Sequence, residues 1–87
     1  MDDWQLLNDY AHRHSEEAFR TLVDRYAGLV YHAALRQAGN PHTAQEVTQA
    51  VFIALAQKAG RIPRGAILSG WLFRGFAGGF VHAPRKL

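Results

Sequence analysis

Five histidines, two serines and seven carboxylates are the residues of this chain that could carry out catalysis or hold a metal. Their spacing supports neither role. His12 and His14 stand two apart, so on a helix they point in different directions. His32, His42 and His82 come from separate segments with no acidic residue arranged around them. With no cysteine, neither a thiolate metal site nor a disulfide framework is available. Ser15 and Ser69 stand where helix caps are expected, and neither a Gly-x-Ser-x-Gly elbow nor a phosphate-cradling glycine loop occurs. The carboxylates form no evident acid–base pair. The expectation is a protein without catalysis, metal or cofactor.

A different chemistry is concentrated near the other end. Lys58, Arg61, Arg64 and Arg74 bracket Trp71, Phe73 and Phe76. Cations offset phosphate charge and aromatic rings stack on unpaired bases, so this mixture suits single-stranded nucleic acid. The charge distribution agrees. Residues 1–57 hold four basic and seven acidic side chains, a net −3, whereas residues 58–87 hold six basic and none acidic. A polyanion partner for the C-terminal third explains that asymmetry, as does a solvated basic tail.

The elements that must position these residues are helical. An 87-residue chain of 9.7 kDa forms one domain, 1–87. A first helix is expected over Asp3–Tyr10, with Trp4, Leu7 and Tyr10 on one face and Leu6 beside them. Ser15 caps a second helix from Glu16 to Ala38, and Gly39 ends it. Its apolar stripe is Phe19, Leu22, Val23, Tyr26, Leu29, Val30, Ala33 and Ala34. Asn40 and Pro41 restart the chain as N-cap and first helical residue, with the helix running to about Ala59. There Ala44, Val47, Thr48, Val51, Phe52 and Leu55 face inward, leaving Gln45, Gln49, Ile53 and Gln57 outside. That outer face is polar, nearly uncharged and broken by one isoleucine, as a partner surface would be. Residues 60–70 form a loop, after which Ser69 is expected to cap a short helix carrying Trp71, Leu72, Phe73 and Arg74. Glycines 75, 78 and 79 argue against its continuing far past Ala77. The expected fold is all-α, a small orthogonal bundle of three main helices plus a short fourth. Its core is expected to hold Trp4, Phe19, Leu22, Val23, Tyr26, Leu29, Val30, Val47, Val51, Phe52, Leu55, Trp71 and Leu72.

These segments also carry a family's signature. Glu17-Ala18-Phe19, Leu22-Val23, Arg25-Tyr26, Leu29-Val30-Tyr31 and Ala34-Leu35-Arg36 resemble the start of region 2 of an extracytoplasmic-function (ECF) sigma factor of the sigma-70 family. The run from Ala44 to Ala56 is similar to the family's Ala-Glu-Asp-(Val/Leu)-x-Gln-(Glu/Asp)-(Val/Thr)-Phe helix, and Trp71-Leu72-Phe73-Arg74 to its Trp-Leu-(Tyr/Phe)-Arg ending. The resemblance is clearest over residues 3–74, and residues 75–87 are an atypical tail. It implies a promoter-recognition module that binds the clamp helices of the RNA polymerase largest subunit. It also implies melting of the minus-ten element and capture of a flipped non-template base in the loop before the last helix. Carried over by position, Gln45, Glu46, Gln49 and Ile53 are the implied polymerase contacts. Lys58, Arg61, Arg64, Ser69, Trp71 and Arg74 are the implied contacts to single-stranded promoter DNA.

The chain departs from the family at Gln45 and Ala50, where acids are usual, and over the Gly- and Phe-rich stretch 75–80. The family's second DNA-binding domain, region 4, is not present in these 87 residues. The alternative reading is therefore a truncated interaction module that binds polymerase or an anti-sigma factor, or self-associates, without opening promoters. Phe76, Phe80 and Val81 suggest a homodimer through the C-terminal segment. An acidic N-terminus without an apolar stretch, and no run long enough to span a bilayer, lead us to expect a cytoplasmic protein with no membrane partner.

Overall fold

A computed structural model of the chain describes residues 2–65 and 67–78, the last five as backbone. Four α-helices follow one another, α1 (Asp3–Arg13), α2 (Glu16–Ala38), α3 (Pro41–Lys58) and α4 (Leu68–Gly78), with a 3-10 turn at Ala59–Arg61. No strand occurs among the described residues. The all-α bundle expected from the periodicity is the fold observed.

Local chemistry explains where the helices begin and end. The Asp2 carboxylate accepts from the Gln5 amide at 2.8 Å while the Gln5 side chain accepts from the Asp2 amide, a reciprocal capping box. Ser15 Oγ accepts from the Ala18 amide at 3.1 Å, and Glu16 and Glu17 add negative charge to the positive end of α2. Gly39 ends α2 at φ +68°, a left-handed conformation that disfavours any side chain. Asn40 then caps α3 through both the His42 and Thr43 amides, with Pro41 in the first turn.

The long helices α2 and α3 pack on each other, α1 lies along the first half of α2, and the 3-10 turn rests on α1. The deepest side chains are Leu22 and Val30 from α2, Val51 and Leu55 from α3, and Leu72 from α4. Phe19, Val23, Tyr26 and Trp71 are half-buried around that centre.

Two residues expected in the core lie elsewhere. Leu29 falls on the apolar stripe of α2 yet is 48% exposed. The cause is length: α1 is 11 residues against 23 for α2. It runs back along α2 from the turn at His14 and reaches Arg25 and Tyr26, where Asp3 is held. Nothing from α1 extends as far as Leu29. Trp4 is the second correction. The core face of α1 centres on Leu6 and Leu7, and at about 100° per residue Trp4 lies at its edge, roughly 160° from Leu6. It is half-buried and outside the core cluster.

The last helix begins earlier than expected. Ser69 is inside α4 rather than its cap, and the first helical bond runs from the Trp71 amide to the Ile67 carbonyl at 3.1 Å. Leu68 is only 3% exposed, so burial of its side chain draws the backbone into the helix ahead of Ser69. The backbone stays helical to Gly78.

Candidate functional site

The outer face of α3 is built by its inner one. Val47, Val51 and Leu55 are buried against the bundle, which turns Gln45, Glu46, Gln49 and Ile53 outward together. All four are exposed, and Ile53 is 58% accessible. Glu46 makes one contact, Oε2 to His42 Nε2 at 3.3 Å, one turn back along the helix. At such exposure this pair contributes little.

The sequence did not single out what lies beside that face. Phe19, Val23 and Ala27 of α2 and Thr48, Gln49, Phe52, Ile53 and Ala56 of α3 line an open groove of roughly 400 Å³. Phe19, Val23 and Ala27 recur every fourth residue along α2, as Gln49 and Ile53 do along α3, so the signal was present as two separate patterns. Only the pairing of the helices joins them. An exposed isoleucine on the rim of a mostly apolar groove, flanked by uncharged amides, can accept an apolar side chain of a partner helix.

The expected DNA contacts are distributed unequally. Arg61 and Arg64 are exposed in the segment after α3. That segment is anchored at both ends, by Ile62 at 8% and Leu68 at 3% exposure. Lys58 is half-buried at the last position of α3. Ser69 and Trp71 are half-buried in α4, with Trp71 packed against the core. The side chains of Arg74 and Phe76, and all of Phe80 and Val81, lie outside the described residues. The fold therefore leaves both Arg61 and Arg64 exposed on one segment and gives Trp71 a structural contact.

One partner of the basic loop was missed. The Arg64 guanidinium lies over the Trp4 ring, 4.9 Å from its centroid. Sixty residues separate the two, and no local pattern could have paired them. On the preceding residue of α1, the Asp3 carboxylate accepts from Arg25 Nη1 at 2.9 Å and from the Tyr26 hydroxyl. That hydrogen bond, with burial second, raises the Tyr26 phenol above its usual range, and the neighbouring Arg25 opposes the shift.

Among the described residues no group of three or more His, Cys, Asp or Glu is placed to hold a metal, and no helix is long and apolar enough to cross a membrane. A family model described as Sigma-70 region 2 matches residues 22–85, which is 64 of the 87 residues. No curated protein and no solved structure matches the chain.

Proposed function

We propose that this chain, which belongs to the sigma-70 region 2 family, is a promoter-recognition module that joins RNA polymerase core to the minus-ten element. Sigma-70 region 2 is a transcription-factor domain that works with polymerase and promoter DNA, and it is not an enzyme family. The exposed edge Gln45, Glu46, Gln49 and Ile53 is the docking surface for the polymerase clamp helices. The loop carrying Arg61 and Arg64, acting together with Lys58, Ser69, Trp71 and Arg74, receives the unpaired non-template strand. The ECF type follows from the wording of the motifs, and a cytoplasmic location from the partners.

The observation that carries this reading is the outward side of α3. Ile53 has 58% of its surface in water on a helix whose other side is packed, with the neutral Gln49 and Gln57 one turn to either side. One exposed apolar side chain is ordinary on a surface, but Ile53 adjoins the open apolar groove between α2 and α3, and that combination suits a docking helix. The groove beside Ile53 also favours the second reading, a protein-interaction module without promoter opening.

One experiment separates the two. A labelled minus-ten non-template strand is titrated with the protein at several salt concentrations, with and without core polymerase. The expected result is salt-dependent binding that strengthens with polymerase. Arg61→Ala with Arg64→Ala should lower the salt slope by about 1.4, two phosphates at ~0.7 each. Gln49→Ala should weaken capture of core polymerase and leave the thermal melt in place. Polymerase binding without any strand binding selects the interaction module, and loss of neither activity in these variants overturns both assignments.

A further inference from the structure

Trp4, Leu7 and Ala11 follow one another at helical spacing along one side of α1. The segment after α3 runs along that side. Gly60 rests against the far end, where a methyl group on it would meet the Ala11 Cβ at 3.7 Å. Ile62 is extended at φ −78°, ψ 124°, and Arg64 reaches Trp4 at the near end. Seven helical residues rise ~10.5 Å; the 3-10 turn advances ~2 Å per residue and extended chain ~3.3 Å, so the four steps from Gly60 to Arg64 advance about 10 Å and the loop can follow α1 from Ala11 to Trp4. The helix is itself braced, because Asp3, next to Trp4, is bound by Arg25 and Tyr26 of α2. The family match begins at residue 22, beyond all of α1.

We infer that α1 is a splint for the basic loop and that Trp4 is a positioning residue for Arg64 in binding a single strand. This rests on the strand-binding role proposed above for the loop. A guanidinium held over an indole ring makes no hydrogen bond to it, so its N–H groups remain available to a phosphate. An arginine waving in solvent loses much side-chain freedom when it grips a phosphate, and stacking on Trp4 removes part of that loss beforehand. Ile62 and Leu68 anchor the backbone of the segment, while the Arg64 side chain is exposed and is held by its contact with Trp4.

The splint is tested first in the free protein. Replacing Trp71 by Phe leaves Trp4 as the sole tryptophan. In that background Arg64→Ala should shift the Trp4 emission to the red, as water replaces the guanidinium; unchanged emission overturns the splint. The positioning role is tested with Trp71 intact, by titrating a labelled oligothymidylate in a double-mutant cycle. Trp4→Leu should weaken binding about two- to fivefold, the range of a partly exposed cation–π contact, and Trp4→Phe should retain part of the affinity. In the Arg64→Ala background Trp4→Leu should change nothing further. An equal loss there means that Trp4 acts only through the fold, and no loss in either background means that it does not act; both overturn the inference. If Arg64→Ala alone binds like the parent, the DNA role of this arginine falls and the positioning role with it, while the emission shift still reports the splint independently.

Discussion

The sharpest test of the polymerase surface is Ile53→Ala. The change removes three carbons, and complete burial of that much apolar surface is worth about 2.4 kcal/mol at ~0.8 kcal/mol per methylene. In the free protein Ile53 is 58% accessible, so docking can bury only that part, about 1.4 kcal/mol. A difference of that size is a tenfold rise in Kd. Folding should hardly notice. The residue already faces water, and alanine is the better helix former by a few tenths of a kcal/mol, so the melting temperature should hold or rise slightly. The assay is anisotropy of the dye-labelled protein titrated with core polymerase, paired with a thermal melt of the same sample. A Kd within twofold of the parent, with the melt unchanged, refutes the placement of Ile53 at the interface. A melt lowered by several degrees refutes the structural premise, because it means that Ile53 packs within the bundle.

Three further outcomes follow from the packing. Leu55→Ala, at a fully buried position two residues beyond Ile53, should destabilise the fold by about 2–5 kcal/mol, enough to unfold much of so small a domain in a thermal or urea melt. Gly39→Ala should destabilise by about 1 kcal/mol, because φ is +68° there although no atom lies within 4 Å of the added methyl; a melt that is not lowered would show that the α2–α3 turn relaxes. Tyr26→Phe removes the hydroxyl that binds Asp3 and should lower stability at neutral pH by about 1 kcal/mol. The pH dependence has a definite sign. The folded phenol titrates above its ordinary value of 10.0 because Asp3 holds its proton, so its contribution is complete below about pH 10 and is lost as pH rises through the folded value. Denaturant midpoints should therefore fall more steeply above pH 10 in the parent than in Tyr26→Phe, and equal slopes would remove Asp3–Tyr26 as the clasp of α1.

Several features were legible in the chain itself because they depend on residues within one helical turn. Ser15, Gly39, Asn40 and Pro41 place the ends of α2 and the start of α3, through hydrogen bonds and backbone angles that act locally. The inner and outer faces of α3 follow from 3.6-residue periodicity, which is why Gln45, Glu46, Gln49 and Ile53 stand exposed where the pattern put them. The three motifs of the sigma-70 resemblance are likewise contiguous runs, and most of the span they cover lies within the family match.

What tertiary structure decided was everything that depends on where one helix stops against another. Leu29 obeys the apolar pattern of α2 and is exposed because α1 is too short to cover it. Ser69 has the chemistry of a cap, but burial of Leu68 starts α4 before it. The groove beside Ile53 exists only where α2 and α3 lie together. Trp4 has the composition of a core residue, and the loop that reaches it begins nearly fifty residues beyond α1. Periodicity reports which side of a helix is apolar, but the choice of what covers that side depends on helix lengths and on the path of the intervening chain.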